Sequence, residues 1–156
     1  MAGLRMAIGV LFFLFGEYKV FGRQFVFGGG FEGWIQRFLT DQATYPFMVP
    51  VLQHFVLPHA RPIAFLVAYG ELAIGIALLT GIWARVASVC GLVYMLALLF
   101  SANYPGTGVP LWQYFGAALD HLVFALCFTA FAAGDPSAAF SIPAYWRARR
   151  KDRFDR

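Results

Sequence analysis

The sequence is short of charged residues. Asp, Glu, Lys and Arg make up only 13% of its 156 residues, whereas 60% are hydrophobic and the mean hydropathy is +0.66. Soluble domains usually carry about 25% charged residues. No charged residue occurs between Arg85 and Asp120, and a soluble core of this size cannot bury so long an apolar run. The composition therefore excludes an ordinary soluble domain and predicts a single compact membrane unit.

Cysteine and histidine are also scarce, and their positions exclude several kinds of site. Cys90 and Cys127 are the two cysteines, both in apolar stretches and without a CxxC pair, so no disulfide framework is indicated. Haem held between helices needs two opposed histidines, but only His121 falls in an apolar segment, since His54 and His59 belong to a predicted loop. The sequence contains no HExxH motif, zinc spacing or phosphate loop. Neither a metal nor haem is therefore indicated.

The apolar residues are grouped into segments long enough to cross a bilayer, which takes ~20 residues. Arg5 and the apolar run after it have the shape of a signal peptide, but no small-residue cleavage site follows, so we expect a retained first span. The fold class predicted is all-α, an integral membrane four-helix bundle over residues 1–136, followed by a basic tail, 137–156. The predicted spans are 4–22, 61–83, 85–103 and 113–134.

The loop between the first two spans, 23–60, is too long to be a simple connection. Within it, apolar residues at helical spacing predict an amphipathic helix that lies in the interface or caps the bundle. These residues are Phe31, Trp34, Ile35, Phe38 and Leu39. A second apolar stretch, 47–57, is interrupted by prolines (Pro46, Pro50 and Pro58), so no long straight helix is expected there.

The distribution of basic residues predicts the orientation of the chain. Most of the 12 Lys and Arg residues fall on the side of Arg5, Arg85 and the tail. Because Lys and Arg favour the cytoplasmic side, we expect both termini in the cytoplasm and a multi-pass protein of a bacterial or archaeal inner membrane. The tail favours contact with anionic lipid over nucleic acid. Its basic residues are Arg147, Arg149, Arg150, Lys151, Arg153 and Arg156.

Ionisable residues inside the predicted spans are the best candidates for function. Each costs several kcal/mol in the bilayer unless it is paired or faces a cavity (roughly 3 kcal/mol on insertion scales). The spacing predicts two helix faces that combine such residues with glycines, which allow close packing. The first face comprises Arg5, Gly9, Phe12, Gly16 and Lys19, and the second comprises Glu71, Gly75, Leu78, Ile82 and Arg85.

Three of these residues are predicted to share one depth. Lys19 is fourteen residues from Arg5, Glu71 is fourteen from Arg85, and Asp120 is fourteen from the end of the fourth apolar segment. At ~1.5 Å per residue, all three would lie ~21 Å above the cytoplasmic face. We therefore expect a shared polar site in the outer half of the bundle.

Two interpretations of this site remain open from the residues alone. In the first, an ion pair between Lys19 and Glu71 only fixes the helix register. In the second, a pocket holds a polar head group such as a quinone, whose ring oxygens need hydrogen-bond donors and whose reduction takes up protons. The second hypothesis assigns proton exchange to Glu71, Asp120 and His121, and head-group binding to Lys19, Glu17, Glu71 and Tyr94.

Several of the same residues carry a resemblance to a known family. The motifs are Arg5–x3–Gly9, Phe15–Gly16–x2–Lys19, Glu71–x3–Gly75–x2–Leu78–x2–Gly81–x3–Arg85 and the ending Ala132–Ala133–Gly134–Asp135, together with a long outer loop that contains Trp34. Over about residues 5–136 the chain resembles the DoxX/DoxD family, and in particular the DoxD-like membrane subunits of thiosulfate:quinone oxidoreductase. The resemblance implies a membrane subunit of a quinone-linked redox system that works with other membrane protein subunits.

A non-catalytic function is the main alternative. The sequence has no redox cofactor motif of its own, and its 18 Phe residues suit lateral contacts with other proteins. Such a chain would be an accessory or scaffolding subunit of a larger membrane complex. No internal repeat is visible, which argues against a transporter.

Overall fold

The fold is described by a computed structural model, which covers residues 1–115 and 120–154 and is helical without strands over these ranges. It contains a π-helical turn, Leu52–Val56, and a 3-10 turn, Leu111–Phe115. The helices are α1 (Ala2–Phe21), α2 (Gly30–Thr40), α3 (Val49–Val51), α4 (Ala60–Thr80), α5 (Ala84–Ala102), α6 (Asp120–Ala133) and α7 (Ile142–Phe154).

The long helices lie where the sequence predicts spans. The bounds of α1, α4 and α5 agree with the first three predicted spans to within three residues. The fourth predicted span began at residue 113; residues 116–119 lie outside the described ranges, and α6 begins at Asp120. The predicted tail contains α7, a helix that the sequence analysis did not anticipate.

Two helices of the described ranges are long and apolar enough to cross a membrane. They are α4, with 21 residues and a mean hydropathy of 2.0, and α5, with 19 residues and 1.8. Helix α1 includes Arg5, Glu17 and Lys19, and α6 has 14 residues, so passage of these two helices through the bilayer remains a prediction.

Large apolar side chains remain exposed on all four of these helices. Examples are Leu14 on α1, Leu66 on α4, Val93 on α5 and Leu126 on α6, each more than half exposed. A soluble protein rarely leaves so extended an apolar surface uncovered. The surface of the bundle therefore suits a lipid environment.

Helices α1 and α4 run antiparallel in close contact. Gly16 lies against Leu72, and a Cβ atom at position 16 would collide with the Leu72 backbone. Gly75 lies against Phe13 with the same consequence. The predicted role of these glycines is confirmed, because only residues without a side chain allow this separation.

Helices α5 and α6 pack through aromatic side chains. The Phe128 ring of α6 is fully buried over Gly91 of α5 and meets Phe12 of α1 edge-on, with ring centroids 5.1 Å apart. One core therefore joins α1, α4, α5 and α6. Its buried members are Ile8, Phe12, Ile74, Leu78, Ala87, Met95, Ala125, Phe128 and Phe131.

The ends of the bundle differ in character. At one end Arg85 donates a hydrogen bond to the Gly134 carbonyl at 2.8 Å, and Gly81, with φ +75°, ends α4 beside Ser141 and Arg5. We call this the basic end and the opposite end the loop end. The N-terminus and the beginning of α7 both lie at the basic end.

The loop end is covered by the segment between α1 and α4. The predicted amphipathic helix is α2, whose Phe31 and Ile35 are buried in a second core with Ala64 and Ala68 of α4. Its buried face is narrower than predicted, because Trp34 is 52% exposed.

The next stretch of the same segment is irregular, as its prolines predict. It consists of α3 and the π-helical turn. Before it, Thr44 Oγ1 donates to the Ser101 carbonyl at 2.7 Å, and the Tyr45 amide donates to the Phe100 carbonyl at 2.9 Å. These bonds satisfy carbonyls that the C-terminal end of α5 leaves free, and so fix the loop on the bundle.

Candidate functional site

Three helices meet at a buried carboxylate. Lys19 Nζ of α1 lies 2.6 Å from both carboxylate oxygens of Glu71 on α4. The Tyr94 hydroxyl of α5 donates to Glu71 Oε1, also at 2.6 Å. The Glu71 side chain is 7% exposed and that of Lys19 is 20% exposed. We call these three residues the central cluster.

The helix register explains why Lys19 reaches Glu71. With Phe13 opposite Gly75 and Gly16 opposite Leu72, Lys19 lies in the last turn of α1, about half a turn beyond Glu71. Its side chain therefore extends back toward the basic end. A cation in the last turn also interacts favourably with the α1 dipole.

The central cluster lies closer to the basic end than the sequence predicted. Glu71 is nine residues before the end of α4 at Thr80, and Tyr94 is nine residues after Arg85 in α5. At ~1.5 Å per residue, both lie about 14 Å from the basic end of the bundle. The expected ~21 Å was an overestimate for Glu71, because residues 81–83 form a turn and add no helical rise.

The Glu71 carboxylate is well satisfied by its neighbours. It accepts two hydrogen bonds from an ammonium and one from a phenol, and each is charge-assisted. Lys19 Nζ also lies 5.1 Å from the centre of the Phe25 ring, a cation–π contact. A buried ion pair is tolerated only with such additional partners.

Asp120 and His121 form a second group at the loop end. His121 Nδ1 lies 2.6 Å from Asn103 Oδ1, and Asn103 Nδ2 lies 3.5 Å from Asp120 Oδ1. The Asp120 side chain is 50% exposed, and it lies 3.2 Å from His121 Nδ1. We call these three residues the outer cluster.

The predicted site residues are therefore divided between two clusters. No hydrogen bond or ion pair of the described ranges joins the outer cluster to Glu71. Asn103, directly after the end of α5, follows Tyr94 by nine residues, which corresponds to about 14 Å along the helix axis. The expectation of one shared layer is correct for Lys19 and Glu71 and wrong for Asp120, because α6 meets the C-terminal end of α5.

Glu17 does not join either cluster in the described part of the chain. It is exposed on α1, and no hydrogen bond to Glu71 or Lys19 is formed. Its two-residue separation from Lys19 places it on a different side of the helix, which explains its exposure.

A small cavity lies at the loop end, and none of the three residues of the central cluster lines it. It has a volume of about 170 Å³ and is formed between α2, the chain before it and the start of α4. Phe25 forms part of its wall and also contacts Lys19, while Glu32 and Arg61 supply polar groups. Drug-sized ligands occupy ~300–1,000 Å³, so this cavity is smaller than a usual ligand pocket.

The residues present are compatible with a quinone head group. Lys19 has three N–H donors, and the two Glu71 oxygens account for two of them. One donor remains for a ring oxygen, and Phe25 offers an aromatic surface next to it.

Sequence reasoning missed Phe25 and Asn103. The signal for Phe25 was its position six residues after Lys19 in an aromatic segment, and Asn103 was treated only as the end of the third predicted span. Phe25 reaches Lys19 because the chain turns after α1, and Asn103 reaches Asp120 and His121 from the other end of a loop, so helical spacing encodes neither contact.

Comparison with known proteins identifies the family. Residues 1–104, which include α1 to α5 and the whole central cluster, match the family model described as DoxX. Neither curated proteins nor solved structures give a match. Because the match covers more than half of the chain and agrees with the apolar helices, the protein is a membrane protein of the DoxX family.

Proposed function

We propose that this protein is a membrane subunit of a quinone-linked redox system, with the central cluster as its proton-handling and head-group-binding site. The observation that carries the proposal is the Glu71 carboxylate, buried between Lys19 and Tyr94. An ionisable cluster inside an apolar bundle is expensive, and such clusters usually serve ion, proton or ligand pathways.

Each residue of the central cluster has a distinct task in this proposal. Lys19 donates its remaining N–H to a ring oxygen and is the nearest source of a proton. Glu71 holds the ammonium in place, and Tyr94 stabilises the carboxylate once Lys19 has released its proton. A bound quinone would supply the capacity to accept two electrons and two protons.

The proposed arrangement in the membrane has four spans, α1, α4, α5 and the region of α6. The basic end lies in the cytoplasm, because it combines Arg5, Arg85 and the basic tail. Electrons would come from a partner subunit, since the sequence has no redox cofactor motif. Thiosulfate as the electron source is the narrower expectation from the DoxD-like resemblance.

The first experiment measures quinone bound to the protein after gentle purification from its native membrane. We expect bound quinone in the wild type and at least a fivefold loss in Lys19→Met, because that variant keeps the side-chain length but has no N–H donor. Glu17→Gln is the matched control, since Glu17 lies on the same helix and outside the cluster. Wild-type protein free of quinone would contradict the proposal.

The second experiment measures quinone reduction in native membranes. Glu71→Gln keeps the size of the side chain and removes its charge, so we expect a slower rate with unchanged protein levels. A normal rate in membranes carrying Glu71→Gln or Lys19→Ala would show that the central cluster does not handle protons.

A non-catalytic accessory subunit is the second candidate function. Two observations favour it. The Glu71 carboxylate already accepts hydrogen bonds from Lys19 and Tyr94, and the four helices expose a large apolar surface. On this proposal the ion pair fixes helix register, and the apolar surface binds other membrane subunits. Purification in mild detergent separates the two candidates: a large stable complex whose activity survives Glu71→Gln would favour the accessory function.

A further inference from the structure

The most completely buried cation of the described ranges is not in the central cluster. Arg5 is 0% exposed, and no ion pair there includes it. Its guanidinium donates to the Leu78 carbonyl of α4, and to the carbonyls of Phe140 at 2.5 Å and Ala139 at 3.4 Å. Leu78 has one of the last four carbonyls of its helix, where a cation is favoured. Arg5 therefore ties α1 and α4 to the chain that leads into α7.

The chain at this attachment has an unusual backbone. Phe140 has φ +48°, a left-handed conformation that residues other than glycine rarely adopt. Its carbonyl is the one bound by Arg5 at 2.5 Å, while its side chain is 77% exposed. Arg5 therefore binds the carbonyl of a residue with a strained backbone, and the aromatic side chain of this residue, Phe140, is exposed.

Helix α7 begins directly after this turn with a well-formed cap. The Ser141 hydroxyl accepts a hydrogen bond from the Ala144 amide at 3.1 Å, and Pro143 occupies the first turn, where proline is tolerated. The hydroxyl also donates to the Ser137 carbonyl at 2.6 Å. The start of α7 is therefore fixed in place beside Gly81.

Along α7 the exposed residues change from aromatic to basic. Near the bundle they are Phe140, Ile142, Tyr145 and Trp146. Farther along they are Arg147, Arg149, Arg150 and Lys151. Aromatic residues concentrate at the level of lipid head groups, and basic residues next to a membrane bind anionic lipid.

We propose that α7 is a membrane-surface anchor: its aromatic half inserts at the interface of the basic end, and its basic half binds anionic phospholipid head groups. Arg5 sets the depth of this anchor by holding its first turn on the bundle. A nucleic acid would also attract the basic half, but it would leave the exposed aromatic residues uncovered at the level of the bilayer. The proposal does not depend on quinone binding.

The test uses the full chain in nanodiscs of phosphatidylcholine, with or without phosphatidylglycerol. Native mass spectrometry measures which lipid remains bound. We expect preferential retention of phosphatidylglycerol by the wild type. Each basic residue near an anionic surface contributes about a fivefold change in binding. In the triple variant Arg149→Gln/Arg150→Gln/Lys151→Gln, we therefore expect the preference for phosphatidylglycerol to fall at least tenfold.

The matched control removes the same charge at the loop end. In Arg23→Gln/Arg37→Gln/Arg61→Gln we expect the preference for phosphatidylglycerol to persist. An equal loss in both triple variants would show that only net charge matters and would overturn the anchor. Circular dichroism checks that both variants fold, as expected for changes at exposed side chains.

A second measurement tests the position of the aromatic half. Lipids brominated near the head group should quench the fluorescence of Trp146, isolated as the difference between the wild type and Trp146→Phe. Absence of this quenching would overturn the proposal. It would also be overturned if the same basic residues bound a single-stranded RNA more strongly than phosphatidylglycerol.

Discussion

The central and outer clusters have similar components and different surroundings. Each contains a carboxylate and a basic group; the third member is Tyr94 of α5 in one and Asn103, the residue directly after α5, in the other. The central carboxylate is 7% exposed and the outer one 50% exposed. Chemical composition alone therefore does not determine what a polar cluster in this bundle can do.

The surrounding backbone accounts for the difference. Around Glu71, glycine contacts bring α1 and α4 close together, and within the described ranges Lys19 and Tyr94 are the hydrogen-bond partners of the carboxylate. Asp120 lies beyond the end of α5, and its carboxylate is half exposed. The buried charge of Glu71 must be matched by partners inside the protein. The half-exposed charge of Asp120 can also be stabilised from outside the protein.

The largest effect is expected from removing the central carboxylate. Glu71→Ala leaves the Lys19 ammonium without its partner inside the bundle, which should destabilise the protein by about 3–5 kcal/mol. Unfolding in detergent, followed by circular dichroism, measures this change.

A double variant tests whether the loss comes from the unpaired charge. Lys19→Met/Glu71→Leu replaces the whole ion pair by apolar groups of similar volume, which is often neutral for stability. We expect it to recover most of the loss. Equal destabilisation of the single and double variants would mean that the cavity, and not the charge, dominates.

A smaller effect is expected from Tyr94→Phe. The substitution removes one hydrogen bond to a charged acceptor and keeps the ring in place, which corresponds to about 1.5–3 kcal/mol. The same unfolding measurement applies, with Tyr69→Phe on the exposed side of α4 as the control. An unchanged stability would show that the hydroxyl contributes little to holding Glu71.

Much of this fold could be predicted from the sequence because membrane helices have strong local signals. Length and apolarity located α1, α4 and α5, and the spacing of Gly16 and Gly75 located the faces that pack together. The Lys19–Glu71 pair followed from the same spacing, since opposite charges on two packed faces must meet or be buried alone.

The remainder depended on features that spacing does not contain. The depth estimate treated residues 81–83 as helical, so it moved Glu71 too far from the basic end. Its count for Asp120 runs along α6 to Gly134 and gives about 21 Å, so Asp120 lies farther from the basic end than Glu71 does. The tail helix α7 was missed because its charge pattern gives no apolar periodicity, and its attachment depends on Arg5, more than a hundred residues away.

The smallest effect is expected from the outer cluster. Asp120→Asn removes one charge from an exposed pair, and such pairs contribute about 0–1 kcal/mol. We therefore expect stability within that range of the wild type, by the same unfolding measurement that detects the loss in Glu71→Ala. Quinone bound after purification should also be unchanged, because Asp120 does not contact the central cluster. A large loss of stability would mean that the loop end is as tightly enclosed as the middle of the bundle. A loss of bound quinone with unchanged stability would assign head-group binding to the outer cluster.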